Sequence, residues 1–184
     1  MQNNLTVECV VFDLDGTITM SHDTIYQATV RTLKEFKLPA DFPKEEFKKK
    51  IGMHFEDIFN DFGFTVDNFE EFINIYKSLY FDYIDSTYIY PGAKEILNFL
   101  RSEKIKTALL TTKTQDQAEK ILNHFKLSQT FDFIMGRRPG IEHKPSPEPL
   151  LFICKEINTE PAKTMIVGDS ELDIQCGKNA GAVT

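Results

Sequence analysis

The first strong pattern in the chain is Val7 to Phe12, where β-branched and apolar residues predominate before Asp13-Leu14-Asp15-Gly16-Thr17. Such a run predicts a buried parallel strand emptying into a polar turn. From about Ser21 to Asp85 the period becomes helical, with Ile25, Thr29, Leu33 and Phe36 on one face and Phe55, Ile58, Phe59 and Phe62 on another. Pro39, Pro43, Gly52 and Gly63 cut this stretch into about four helices. Ten of the sixteen phenylalanines fall within it, so it is expected to pack as its own helical unit, a cap over residues 21–85. Beyond Tyr90-Pro91-Gly92 the pattern predicts a helix over Ala93 to Ser102, a strand over Lys106 to Leu110, and a turn with a helix over Thr114 to Phe125. A strand near Phe131 to Met135, a helix over Glu148 to Ile157, a strand over Thr164 to Val167 and a helix over Leu172 to Ala180 follow. Strands alternating with helices predict an α/β fold with a doubly wound parallel sheet, built from residues 1–20 and 86–184.

Composition narrows the picture. The 184 residues are enough for one domain of ordinary size, or for a core with a modest insertion. No apolar run approaches the roughly 20 residues of a membrane-spanning helix, so no membrane partner is expected. Lys and Arg number 21 against 28 Asp and Glu, a formal net charge of -7, which argues against holding a nucleic-acid backbone. The three cysteines, Cys9, Cys154 and Cys176, form no metal-binding or redox spacing. Met1 to Glu8 carries no basic residue, and the apolar run after it is too short for a signal peptide. A reduced, cytoplasmic protein is the expectation.

Ligands of open α/β sheets bind beyond the carboxyl ends of the strands, so the polar residues that follow each strand carry the candidate chemistry. Four clusters qualify. In Asp13-x-Asp15-Gly16-Thr17 one carboxylate can attack while its neighbour handles a proton, and two like charges at a sheet end call for a cation. In Thr111-Thr112-Lys113-Thr114 a hydroxyl beside backbone N–H groups can hold an anionic oxygen, with Thr114 suited to capping the next helix. Lys144 lies on a stiff Lys-Pro-Ser-Pro segment in which Ser146 is placed as an N-cap and Pro147 as the first helical residue; alone, such a lysine is usually a solvated surface charge. In Gly168-Asp169-Ser170-Glu171-Leu172-Asp173, Asp169 and Asp173 share a face if the helix has begun, and clustered oxygen ligands suit Mg²⁺. The same pair could also merely complement the helix dipole.

In this order and spacing the four clusters resemble the haloacid dehalogenase-like superfamily of phosphotransferases, and KPSPEPL and VGDSELDIQCGKNAGA resemble its phosphoglycolate phosphatase branch. The resemblance implies a Rossmann-like core with an inserted α-helical cap that closes over the site. It further implies Asp13 as nucleophile, Asp15 as acid and then base, and Thr111, Thr112 and Lys144 as phosphate contacts. Asp13, the backbone carbonyl of Asp15 and Asp169 would be Mg²⁺ ligands, with Ser170 and Asp173 in support. Met20 stands where that branch often has Asp, and Thr112 where it often has Asn. The chain also stops at Thr184 where relatives usually continue into a further edge strand, whose loss is expected to affect stability more than chemistry. The expected function is a Mg²⁺-dependent phosphatase acting on a small phosphorylated metabolite. The alternatives are a sugar phosphomutase of the same superfamily and a shortened non-catalytic regulatory protein; nothing in the sequence specifies an oligomeric state.

Overall fold

The computed structural model describes residues 6–184. In chain order its elements are β1 (Cys9–Phe12), β2 (Thr19–Met20), α1 (His22–Glu35), α2 (Lys44–Lys48), α3 (Phe55–Asp61), α4 (Phe69–Tyr80), β3 (Tyr88–Ile89), α5 (Ala93–Ser102), β4 (Lys106–Thr114), α6 (Gln115–His124), β5 (Phe133–Arg137), α7 (Glu148–Glu156), β6 (Thr164–Val167) and α8 (Glu171–Ala180). They divide into two compact units. One comprises the chain up to Ile18 with Ile89–Thr184, the other Thr19–Tyr88.

The first unit is a mixed α/β structure on a four-stranded sheet in the order β5-β4-β1-β6. All its pairings are parallel, with Val11 opposite Ala108 on one side and Ile166 on the other. Cys9-Val10-Val11-Phe12 is buried throughout, as a central strand covered on both faces must be. On one face Cys9, Val11, Ala108, Leu110, Met135 and Ile166 pack with Leu150 and Ile153 of α7 and Cys176 of α8. Alternation turns Val10, Phe12 and Leu109 to the opposite face. Parallel pairing brings the carboxyl ends of the strands to one edge, where Asp13 N–H donates to the Val167 carbonyl (2.9 Å). Past Ile166, Val183 lies alongside β6, accepting from Ile166 N–H (2.8 Å) and donating to the Thr164 carbonyl (2.9 Å).

Several boundaries differ from the sequence expectation. The first strand begins at Cys9 rather than Val7, and β5 lies two residues later than expected. The largest difference is in β4, which continues through Thr114 where a turn was expected after Leu110. Its pairing with β5 breaks after Leu110–Met135 and resumes at Thr114–Arg137, so Thr111, Thr112 and Lys113 stand opposite the single residue Gly136. This is a bulge. The Gln115 side chain serves the β5 backbone beside it, accepting from Gly136 N–H (2.7 Å) and donating to the Ile134 carbonyl (3.1 Å). Glycine is required at 136 because a Cβ there would overlap the Gln115 backbone.

The second unit is helical and built around aromatic rings. Phe47, Phe59, Phe72 and Tyr80 are fully buried. Phe59 stacks on Phe55 and Phe64 and meets Phe72 edge-on, with centroids 5.2 Å apart. Full burial of each such ring is worth about 1.5–3 kcal/mol, which suits a unit whose helices α2 and α3 are too short to be stable by themselves. Strands β2 and β3 form a separate two-stranded sheet. Among the described residues, no helix is long and apolar enough to cross a membrane.

Candidate active site

Three segments at the carboxyl edge of the sheet converge on Lys144. Its ammonium lies 2.7 Å from Asp13 Oδ1 and 2.5 Å from Asp173 Oδ1, and also donates to the Leu110 carbonyl (3.3 Å). At 4% exposure it is no solvated surface charge: an ammonium this deep requires the partners it has. The turn that delivers it differs in detail from the sequence expectation. The N-cap of α7 is Pro147 rather than Ser146, and Ser146 Oγ instead accepts from Glu148 N–H (3.2 Å).

Asp173 is fixed at the start of α8 by a capping box. Ser170 is the N-cap, its hydroxyl accepts from Asp173 N–H (3.4 Å), and the Asp173 carboxylate accepts in return from Ser170 N–H (3.1 Å). Asp173 Oδ2 also accepts from the Ser170 hydroxyl (2.5 Å) while Oδ1 receives Lys144. Both its oxygens are therefore engaged. Asp169, in the loop before α8, accepts from the Thr17 hydroxyl (3.3 Å). Gly16, at φ 87°, passes so close that a Cβ would overlap the Asp169 carboxylate, so both its left-handed backbone and its lack of a side chain are needed.

Asp13, Asp169 and Asp173 each offer an oxygen within 4.8 Å of the others. Three carboxylates around one ammonium leave negative charge uncompensated. Burial is the main influence pushing the Asp13 pKa up; Lys144 opposes it, Asp173 and Asp15 add to it, and the outcome is about 7. Burial disfavours the charged form of Lys144, but Asp13 and Asp173 outweigh it and the net shift is upward. An all-oxygen, charge-deficient set of this kind could hold a hard divalent cation.

Of the predicted phosphate contacts, Thr111 and Thr112 lie on the β4 bulge. Thr111 is buried, and its hydroxyl accepts from Lys113 N–H (3.3 Å). Thr111, Thr112 and Lys144 line one pocket, together with Arg137 and His143. Thr114 is the N-cap of α6, though its side chain makes no capping bond. Asp15 meets a different lysine: its Oδ2 lies 3.2 Å from the ammonium of Lys113, and both side chains are nearly buried. Sequence reasoning assigned Lys113 no role. In the structure Thr111 to Thr114 alternate buried, half-buried, buried, half-buried, which places Thr111 and Lys113 on one side of an extended strand.

The profile of the haloacid dehalogenase-like hydrolases matches residues 10–184, and the chain belongs to that family. It falls in the phosphoglycolate phosphatase-like branch and is a hydrolase of the phosphoric monoester class. It is 35% identical over 177 residues to the phosphoglycolate phosphatase of Aquifex aeolicus, spanning 95% of this chain and 82% of that protein. It is 30% identical over 182 residues to pyrophosphatase PpaX of Bacillus cereus, spanning 98% and 82%. Among solved structures, a HAD-superfamily hydrolase of subfamily IA from Geobacter sulfurreducens shares the fold at a TM-score of 0.79 and 21% identity, covering 96% of this chain and 87% of that one. A predicted phosphoglycolate phosphatase from Haemophilus somnus aligns at a TM-score of 0.79 and 25% identity, covering 96% of this chain and 83% of that one.

Proposed function

We propose that the protein is a Mg²⁺-dependent phosphatase of a small phosphorylated metabolite, phosphoglycolate or a close analogue, working through an aspartyl-phosphate on Asp13 in the cytoplasm. The observation that carries this reading is the buried Lys144 ammonium 2.7 Å from Asp13 Oδ1, beside two further carboxylates and the Thr111 bulge. A carboxylate attacks an anionic phosphate only where positive charge stands ready, and positioned charge supplies most of phosphoryl-transfer catalysis. The names of the Aquifex and Bacillus relatives support phosphate chemistry on small molecules. The thiols of Cys9, Cys154 and Cys176, all buried and unbridged, are compatible with a reducing compartment.

In the first half-reaction Asp13 forms a bond to phosphorus as the bond from phosphorus to the leaving oxygen breaks, and Asp15 gives that oxygen its proton. In the second, Asp15 takes a proton from water as the water oxygen attacks the phosphorus of the aspartyl-phosphate, releasing inorganic phosphate and restoring Asp13. The Thr111 hydroxyl, the Thr112 backbone and Lys144 hold the phosphoryl oxygens. Asp173, itself fixed by Ser170, holds Lys144. Asp13, Asp169 and the Asp15 carbonyl are the groups that would hold Mg²⁺, which when bound screens the charge between nucleophile and phosphate.

The test is hydrolysis of p-nitrophenyl phosphate and a panel of phosphorylated metabolites with Mg²⁺ or with EDTA. Activity should need Mg²⁺, vanish in Asp13→Asn, and require more Mg²⁺ in Asp169→Ala. Undiminished turnover by Asp13→Asn, or in EDTA, overturns the reading.

A further inference from the structure

We propose that Lys113 is a specificity-determining residue that selects phosphoryl substrates whose leaving group is itself an anion. The proposal rests on the phosphatase reading above and adds to it the chemical class of the group that departs. Two ammonium groups serve this site, and their partners divide them. Lys144 is bound to the nucleophile Asp13 and to Asp173, so its charge faces the phosphoryl group. Lys113 pairs instead with Asp15, at 3.2 Å. A group that protonates the leaving oxygen must come within roughly 3 Å of it. An ammonium bonded to that same carboxylate therefore stands about one hydrogen bond farther off, close to the first atoms of the leaving group.

Lys113 reaches this position because β4 bulges. With Thr111, Thr112 and Lys113 opposite the single residue Gly136, the strand carries its lysine to the carboxyl edge, where its side chain is only 8% exposed. A charge screened so little by water discriminates strongly between a neutral and an anionic neighbour at this range. The surroundings sharpen the effect: in a chain of net charge -7, an anion approaching three clustered carboxylates is repelled unless a cation lies on its own side. The class selected comprises diphosphates, whose leaving group is a phosphate, and phosphorylated hydroxy acids with a carboxylate near the ester oxygen.

The measurement compares kcat/KM for phosphoglycolate with that for 2-hydroxyethyl phosphate, nearly the same molecule with a neutral hydroxymethyl in place of the carboxylate; pyrophosphate serves as a second anionic case. Wild-type protein should prefer phosphoglycolate by about tenfold or more. Lys113→Gln should collapse that ratio towards one, and Lys113→Arg should retain most of it. Equal losses on both substrates in Lys113→Gln would show that the lysine acts only through Asp15, and would overturn the proposal, as would an unchanged ratio. Should Lys113→Gln fail to fold, the wild-type preference decides alone, and its absence overturns the proposal. Failure of the phosphatase reading looks different, since wild-type protein would then hydrolyse no phosphate ester in an Asp13-dependent way.

Discussion

The protein has two interiors of opposite chemistry. At the carboxyl edge of the sheet, buried space is filled by Asp13, Asp173, Lys113 and Lys144; in the helical unit it is filled by Phe47, Phe59, Phe72 and Tyr80. Ring packing gains stability from every contact. A buried cluster of charges gains little, and its members are bound so tightly to one another because each would be costly alone. The contrast teaches that depth of burial says nothing by itself about what a residue is for: removing a ring should cost folding, and removing a charge should cost chemistry.

The sharpest test of that division is Asp15→Asn, expected to slow turnover of alkyl phosphates by a factor on the order of 10² to 10⁴, with much less effect on activated aryl phosphates. A variant that melted far lower with a proportionate loss on all substrates would place Asp15 among the structural residues and break the comparison from the charged side. From the aromatic side, Phe72→Ala should lower the unfolding free energy by about 3–5 kcal/mol in a urea titration. The kcat of the remaining folded protein should change far less than in Asp15→Asn. The reverse outcome, normal stability with lost turnover, would make the ring part of the chemistry.

A smaller effect concerns pH. Asp13 in the metal-free protein titrates near 7 against an ordinary value of 3.8, so between those limits the folded state holds a proton that the unfolded chain has released. Stability contributed by this group is therefore greatest at the acid end of the window and falls as pH rises through it, levelling off above about 7. The upward shift of Lys144 starts from 10.5, so its loss of stability lies far above this window. Thermal melts in EDTA should show Asp13→Asn lacking the decline and melting above wild type at pH 8. A wild-type decline that persisted in Asp13→Asn would assign it to other groups.

Much of this was legible in the sequence, and unevenly so. Helix α5 and strand β6 fall where periodicity places them, at Ala93–Ser102 and Thr164–Val167, because each is set by its own apolar pattern. The convergence of Asp13, Asp169 and Asp173 was legible as motifs at strand ends. Hidden was everything decided by contacts between distant segments. Thr111-Thr112-Lys113-Thr114 has the polarity of a turn, and it remains extended because Gln115 serves the backbone groups of Gly136 and Ile134. That support lies about twenty residues away, and so does the reason Lys113 meets Asp15. The placement of Lys144 was equally invisible to local reasoning, since a lone lysine gives no sign of the two carboxylates that will bury it.

The bond between Lys144 and Asp13 joins residues 131 positions apart, and that between Thr17 and Asp169 spans 152. Contacts of such separation bear the largest loop-closure cost and are made only after nearer ones have reduced the chain's freedom. The carboxylate cluster is thus a late product of folding: a nascent chain that has emerged only as far as α6 carries Asp13 and Thr111 but neither Lys144 nor Asp169. A cation that requires the completed cluster binds the finished fold and not its precursors, so its binding energy adds wholly to the stability of the native state. Premature chemistry on a half-made protein is excluded by chain order alone.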